Sequence, residues 1–139
     1  MRTFLDSGVL LAAWRGEVLA GAALSLMADD ARVFVTSQMV RLELLPKPRF
    51  EKRPREVQFY EAHFAEAASC EPLSEPLGQD AERLAARYGL SGADAQQVAA
   101  AIRQGAHEFY TSEKPGKPLF RVKELKVLSL HAMDTPAMA

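Results

Sequence analysis

Apolar residues along this chain fall into two alternating rhythms. Residues 2–5 (RTFL) read as a short strand, and the polar pair Asp6 and Ser7 then opens a stretch in which Val9, Leu10 and Trp14 lie on related helical faces. Residues 17–29 repeat the helical period through Val18, Ala22 and Leu26, and RVFVT at 32–36 is a β-branched strand run. Ser37 suits the N-cap of the next helix, which Pro46 ends. KPRFEKRP reads as a proline-punctuated basic loop, after which Val57, Tyr60, Phe64 and Ala67 mark one face of a helix running to about residue 69. Residues 70–73 are a weak strand candidate. Leu77, Ala81, Leu84 and Tyr88 give a helix stopped by Gly89, and Ser91 caps another from Gly92 to Arg103 that Gly105 closes. HEFYT (107–111) and KVLSL (126–130) read as the last strands, separated by the turn-rich EKPGKPLF, and HAMDTPAMA is left as a flexible tail.

Strands alternating with helices predict an α/β fold: a parallel sheet of about five strands, helices on both faces and right-handed crossovers. A chain of 139 residues without a compositional break fits one domain, here residues 1–130 followed by the tail 131–139. Hydrophobic and charged shares of 48% and 25% sit at the globular average, which argues against a disordered or membrane-embedded class. The single cysteine, Cys70, excludes a disulfide framework and a Cys-rich zinc site, and reads as a small buried apolar residue. The first 17 residues carry neither a secretory signal pattern nor a membrane span, so a cytoplasmic location is expected.

Charge changes the picture locally. The net charge of -1 argues against a globally basic nucleic-acid binder, yet more than half of the 17 Lys and Arg lie within residues 47–55 and 114–126. Lys47, Arg49, Lys52, Arg53 and Arg55 form the first run, and Lys114 and Lys117 open the second. Each run taken alone is more often a solvated loop than a binding surface.

The acids matter more. In open parallel sheets ligands bind outside the carboxyl ends of the strands. Asp6 directly follows the first strand, and Glu113 stands two residues past HEFYT. A helix feeding a parallel strand begins at that same edge, which brings Asp94 there. Glu43 lies six residues into its helix, ~9 Å along the axis, and joins only if that helix leans across the sheet. Bunched carboxylates repel one another, and a divalent cation such as magnesium, which takes oxygen ligands and keeps several waters, relieves that cost. One such water can serve as the nucleophile in phosphodiester hydrolysis. Singly, each acid has a structural explanation: Asp6 as a helix cap, Ser91 and Asp94 as a capping box, Glu43 and Glu113 as solvated charges. Together, three of them converge. There is no phosphate-cradling glycine loop and no GxSxG, Ser7 lacks a partner base, and His63, His107 and His131 lack metal-ligand spacing and read as surface or half-buried residues.

Three segments resemble the PIN-domain family, in particular the VapC-like toxins of toxin–antitoxin pairs: FLDSGVLLAA, SQMVRLELLPKP and GADAQQVAAAIRQGAHEFYTSEK. The third is the most specific, an Asp-Ala helix followed by Gly-Ala, a strand and a Thr-x-acid turn. The resemblance implies a PIN-like fold and a magnesium- or manganese-dependent endoribonuclease in which Asp6, Glu43, Asp94 and Glu113 bind metal and act in catalysis. It further implies RNA as substrate, a small antitoxin as partner and a homodimer. The flanking Lys47, Arg49, Lys52, Arg53, Arg55, Lys114 and Lys117 would then hold the RNA backbone. Two departures stand out: Gly8 replaces a commonly polar residue, which removes a supporting hydrogen bond, and Glu113 replaces the commoner Asp. An inactive PIN-like module that binds RNA or protein is the alternative. A phosphoaspartate enzyme or receiver ranks below both, because Asp6-Ser7-Gly8 lacks the second aspartate and Pro72-Leu73-Ser74 offers none.

Overall fold

The structure, a computed structural model, describes residues 1–134. Five strands, β1 (Arg2–Leu5), β2 (Val33–Ser37), β3 (Ser69–Glu71), β4 (Glu108–Thr111) and β5 (Lys126–Ser129), form one parallel sheet in the order β3-β2-β1-β4-β5. Between β1 and β2 run α1 (Ser7–Arg15) and α2 (Ala20–Met27), which meet at 114°. Between β2 and β3 come α3 (Gln38–Leu44), α4 (Pro46–Phe50) and α5 (Pro54–Glu66). The crossover from β3 to β4 carries α6 (Glu75–Tyr88) and α7 (Gly92–Arg103), and α8 (Leu130–Asp134) follows β5. Helices cover both faces of the sheet. Consecutive residues of β1 and β2, Thr3-Phe4-Leu5 and Phe34-Val35-Thr36-Ser37, are therefore buried without alternation, as side chains pointing to opposite sides both meet a helix layer. Phe4 and Phe109, partners in the β1–β4 register, stack with centroids 5.3 Å apart. No single helix among the described residues is long and apolar enough to cross a membrane.

The chain order reverses at β1. It walks outward from β1 to β3, then jumps back to β4 on the other side of β1. The carboxyl ends of β1 and β4 thus flank a topological switch point, where such sheets leave a crevice.

Several local expectations change. The basic stretch after Pro46 is not a loop: Pro46 opens α4 at a position where its missing N–H costs nothing, Lys52 turns the chain at a φ of 56°, and Pro54 opens α5 in the same way. The turn-rich stretch after Glu113 holds a 3-10 turn over Pro118–Arg121. Residues 131–134 of the expected tail belong to α8, and the rest of it lies outside the described residues. Cys70 is exposed, on β3, a three-residue strand at the edge of the sheet. His63, by contrast, is buried edge-on between Phe34 and Phe64, and desolvation holds its pKa down at about 4.

Charge at the amino ends of the strands is neutralised. The buried Glu108 carboxylate pairs with Arg32 and accepts a hydrogen bond from Thr3 (2.7 Å), while Arg32 also reaches Asp29 (2.8 Å) and lies over the Tyr110 ring. Removing one member of such a pair strands the other in a low-dielectric site. Arg32→Ala should therefore lower the unfolding free energy by about 3 kcal/mol, measured as an earlier urea midpoint. Glu108→Gln added to it should restore part of the loss, and unchanged stability would show that the pair contributes nothing.

Candidate active site

At the opposite edge no such ion pair forms among the described residues. Asp6 leaves β1 with its N–H still bonded to the Tyr110 carbonyl of β4 (3.1 Å), and its Oδ1 accepts the Val9 N–H (3.1 Å) to cap α1. The side chain is only 9% exposed. Burial is the main force on its acidity, and the negative charges of Asp94 and Glu113 add to it, so that its pKa rises to about 7 despite hydrogen bonds from Thr111 and Val9. The cap explanation of Asp6 and the cluster explanation hold together.

The other acids arrive from three separate elements. Asp94 sits in the first turn of α7, whose cap is Ser91: the Ser91 hydroxyl oxygen accepts the Asp94 N–H at 3.2 Å. The Asp94 carboxyl is raised by partial burial and by Glu113, while its hydrogen bond with Ser91 opposes the rise. The carboxylate thus meets the Ser91 side chain. Glu113, exposed, hangs from a turn clamped at both backbone groups: its N–H donates to Thr111 Oγ1 (3.1 Å), and its carbonyl accepts from Ser129 Oγ (2.6 Å). The Thr111 hydroxyl therefore links Glu113 to Asp6, accepting from one and donating its only proton to the other.

Glu43 reaches the group through its side chain. It stands near the end of α3, which packs on α1 and α7, and its Oε1 accepts from Ser7 Oγ (3.2 Å) and from Gln97 Nε2. Burial raises its pKa, the Ser7 and Gln97 hydrogen bonds hold it back, and Asp94 pushes it further up. All four predicted acids thus feel at least one other member electrostatically. No three of them close to the spacing of a single-ion cage among the described residues. The donor set is nonetheless all carboxylate oxygen, the chemistry that hard divalent cations take, and magnesium is commonly held by one or two carboxylates with waters completing its shell.

Sequence reasoning passed over Gln97, Thr111 and Ser112. Gln97 lies three residues after Asp94, on the same helix face, which was the available signal. Ser112 explains Gly8. A Cβ at residue 8 would collide with the Ser112 side chain and stand 3.3 Å from Asp6 Oδ1, so the place of a side chain at residue 8 is taken by the Ser112 hydroxyl. The residue is small there because of close approach from the next strand's loop.

The basic residues divide. Arg49 pairs with Glu61 (2.9 Å), itself held by Arg41 (3.0 Å), and Arg53 pairs with Glu51 (3.2 Å) and Glu56 (3.5 Å). Lys47, Lys52, Arg55, Lys114 and Lys117 are exposed and make no ion pair among the described residues.

Two expectations follow. The fold favours the protonated form of Asp6, so its stabilising contribution is full below the ordinary aspartate range and is lost as pH rises towards 7. Buried His63, with its depressed pKa, works in the opposite sense between about 4 and 6.5. The difference between the parent and Asp6→Asn isolates the first effect: the parent should lose stability relative to the variant between pH 4 and 7, measured by metal-free urea denaturation across that range. A constant difference would mean that Asp6 titrates normally. Separately, Gly8→Ala should cost about 1–3 kcal/mol through overpacking, and Ser112→Gly in the same chain should recover most of it in denaturation midpoints. If the pair shows no recovery, Ser112 is not what holds residue 8 small.

A PIN-domain family profile matches residues 3–114. No curated protein matches the chain at the level of sequence. Among solved structures, the fold is similar to that of VapBC2 from Rickettsia felis, described as bound to a DNA fragment from their promoter. That match has a TM-score of 0.69 and 15% identity, covering 93% of this chain and 98% of the other. It is similar as well to a toxin–antitoxin complex from Klebsiella pneumoniae (TM-score 0.68, 17% identity, coverage 92% and 97%). A third is VapC20 from Mycobacterium tuberculosis, described as a sarcin-ricin loop cleaving toxin (TM-score 0.67, 20% identity, coverage 89% and 98%). At such identities the structural likeness speaks for the fold, and together with the profile match it means that the chain belongs to the PIN-domain family.

Proposed function

We propose that this protein is a metal-dependent endoribonuclease acting as the toxin of a toxin–antitoxin pair. One observation carries the reading: a buried carboxylate, Asp6, stands at the switch point of a PIN fold in the field of Asp94 and Glu113, and no cationic side chain among the described residues pairs with it. Such a site wants positive charge. Asp6 and Asp94 are the proposed principal ligands of a magnesium or manganese ion, with Glu43 and Glu113 completing the acidic rim. When bound, the ion would supply charge stabilisation at the phosphate and lower the pKa of water.

The chain's own groups supply the rest. The Val9 N–H and Thr111 hydrogen-bond the Asp6 carboxyl group, and Ser7 with Gln97 orients Glu43. Lys47, Lys52, Arg55, Lys114 and Lys117, which are exposed and make no ion pair among the described residues, suit contact with the RNA phosphates. Arg49 and Arg53 are engaged in ion pairs and contribute to the shape of the corner instead. Because one of the similar solved structures is described as a toxin–antitoxin complex, a small antitoxin is the proposed protein partner, with a homodimer as the working form. A cytoplasmic site of action accords with that reading. The alternative, an inactive RNA- or protein-binding module, draws on the open spacing of the acids.

Asp94 separates the two readings, because capping needs only the Ser91 oxygen whereas metal binding needs the Asp94 charge. Asp94→Asn should abolish manganese-dependent cleavage of single-stranded RNA with little change in stability. Ser91→Ala should keep cleavage and cost about 1 kcal/mol. The assay is cleavage with and without chelator alongside denaturation midpoints. Full activity of Asp94→Asn, or cleavage indifferent to chelator, would sink the metal-nuclease reading.

A further inference from the structure

Gln97 is 4% exposed, yet the hydrogen bonds of its side chain go to the candidate site. Its orientation is determined. The Ser7 backbone N–H can only donate, so the atom facing it at 3.3 Å must be the amide oxygen Oε1. That turns the amide nitrogen towards Ser7 Oγ (3.3 Å) and Glu43 Oε1. Ser7 Oγ in turn donates to the same Glu43 oxygen at 3.2 Å. A glutamate on an exposed position of α3 would otherwise sample several rotamers in solvent. Here one of its oxygens carries two donors from α1 and α7, the helices at whose starts Asp6 and Asp94 stand.

We infer that Gln97 is a positioning residue: its amide, locked by the Ser7 backbone, holds Glu43 in a single orientation as one acid of a divalent-cation site. The inference rests on the proposed reading of Glu43 as an acid of that site. Hydrogen bonds that orient metal ligands commonly change metal affinity 10–100-fold when removed. The side chain touches neither the metal nor substrate in this role. It sets how much freedom Glu43 must lose on binding.

The test uses manganese alone, without RNA, titrated into the full chain and followed by electron paramagnetic resonance of the free ion and by calorimetry. Gln97→Met, close in shape but without donors, should weaken manganese binding about 10-fold. In a Glu43→Gln background the same change should have no further effect, whereas a residue that merely packs α1 against α7 would weaken binding in either background. Metal-free denaturation checks that each variant folds. Should Gln97→Met fail to fold, Ser7→Ala, which removes the other donor to the same oxygen, takes its place in the cycle with the same expected pattern. If Glu43→Gln weakens binding while Gln97→Met and Ser7→Ala do not, the positioning role is wrong and the metal site stands. If Glu43→Gln itself leaves binding unchanged, Glu43 is no ligand and the role assigned to Gln97 falls with it.

Discussion

The whole arrangement depends on an unbalanced buried charge at one edge of a parallel sheet. Asp6 belongs to three structures at once: its backbone extends the pairing of β1 with β4, one carboxylate oxygen caps α1, and the carboxylate feels Asp94 and Glu113. Moving any of these would move the others. A desolvated carboxylate among other acids prefers to hold a proton, and its raised pKa measures how strongly the fold disfavours bare negative charge there.

The two edges of the sheet show the contrast. Glu108 is also buried, but Arg32 sits against it and Thr3 donates to it, so the amino edge carries its charge at rest. At the carboxyl edge the acids receive hydroxyl, amide and backbone N–H donors, Thr111, Ser7, Gln97 and Val9, and pair with no cationic side chain among the described residues. Neutral donors orient a carboxylate without cancelling it. That is the physical difference between a structural ion pair and a site left open to an external cation.

Secondary structure near the site serves the same end. Pro46 and Pro54 start α4 and α5 where a missing N–H is harmless, and the Arg41–Glu61–Arg49 cluster joins α3 and α4 to α5. The corner is therefore built from ion pairs and prolines, while Lys47, Lys52 and Arg55 on it keep their charge towards solvent.

Much of this was legible in the sequence because it is local. Hydrophobic period located the five strands and most helices, Ser37 and Ser91 cap the helices they were expected to cap, and Gly89 takes the left-handed turn after α6. The parallel sheet followed from alternation, and the edge shared by Asp6, Asp94 and Glu113 followed from the parallel sheet. What only the tertiary structure decided is long-range. The reach of Glu43 depends on α3 packing against α1 and α7 and on an amide 54 residues away, which no local period encodes. Cys70 and His63 exchanged their expected exposure because burial is set by a residue's surroundings in the fold: Cys70 lies on the strand at the sheet's edge, whereas two aromatic rings flank His63. Gly8 looked like a lost polar contact in one dimension. In three it is the space into which Ser112 projects, a relation between residues that the fold alone brings together.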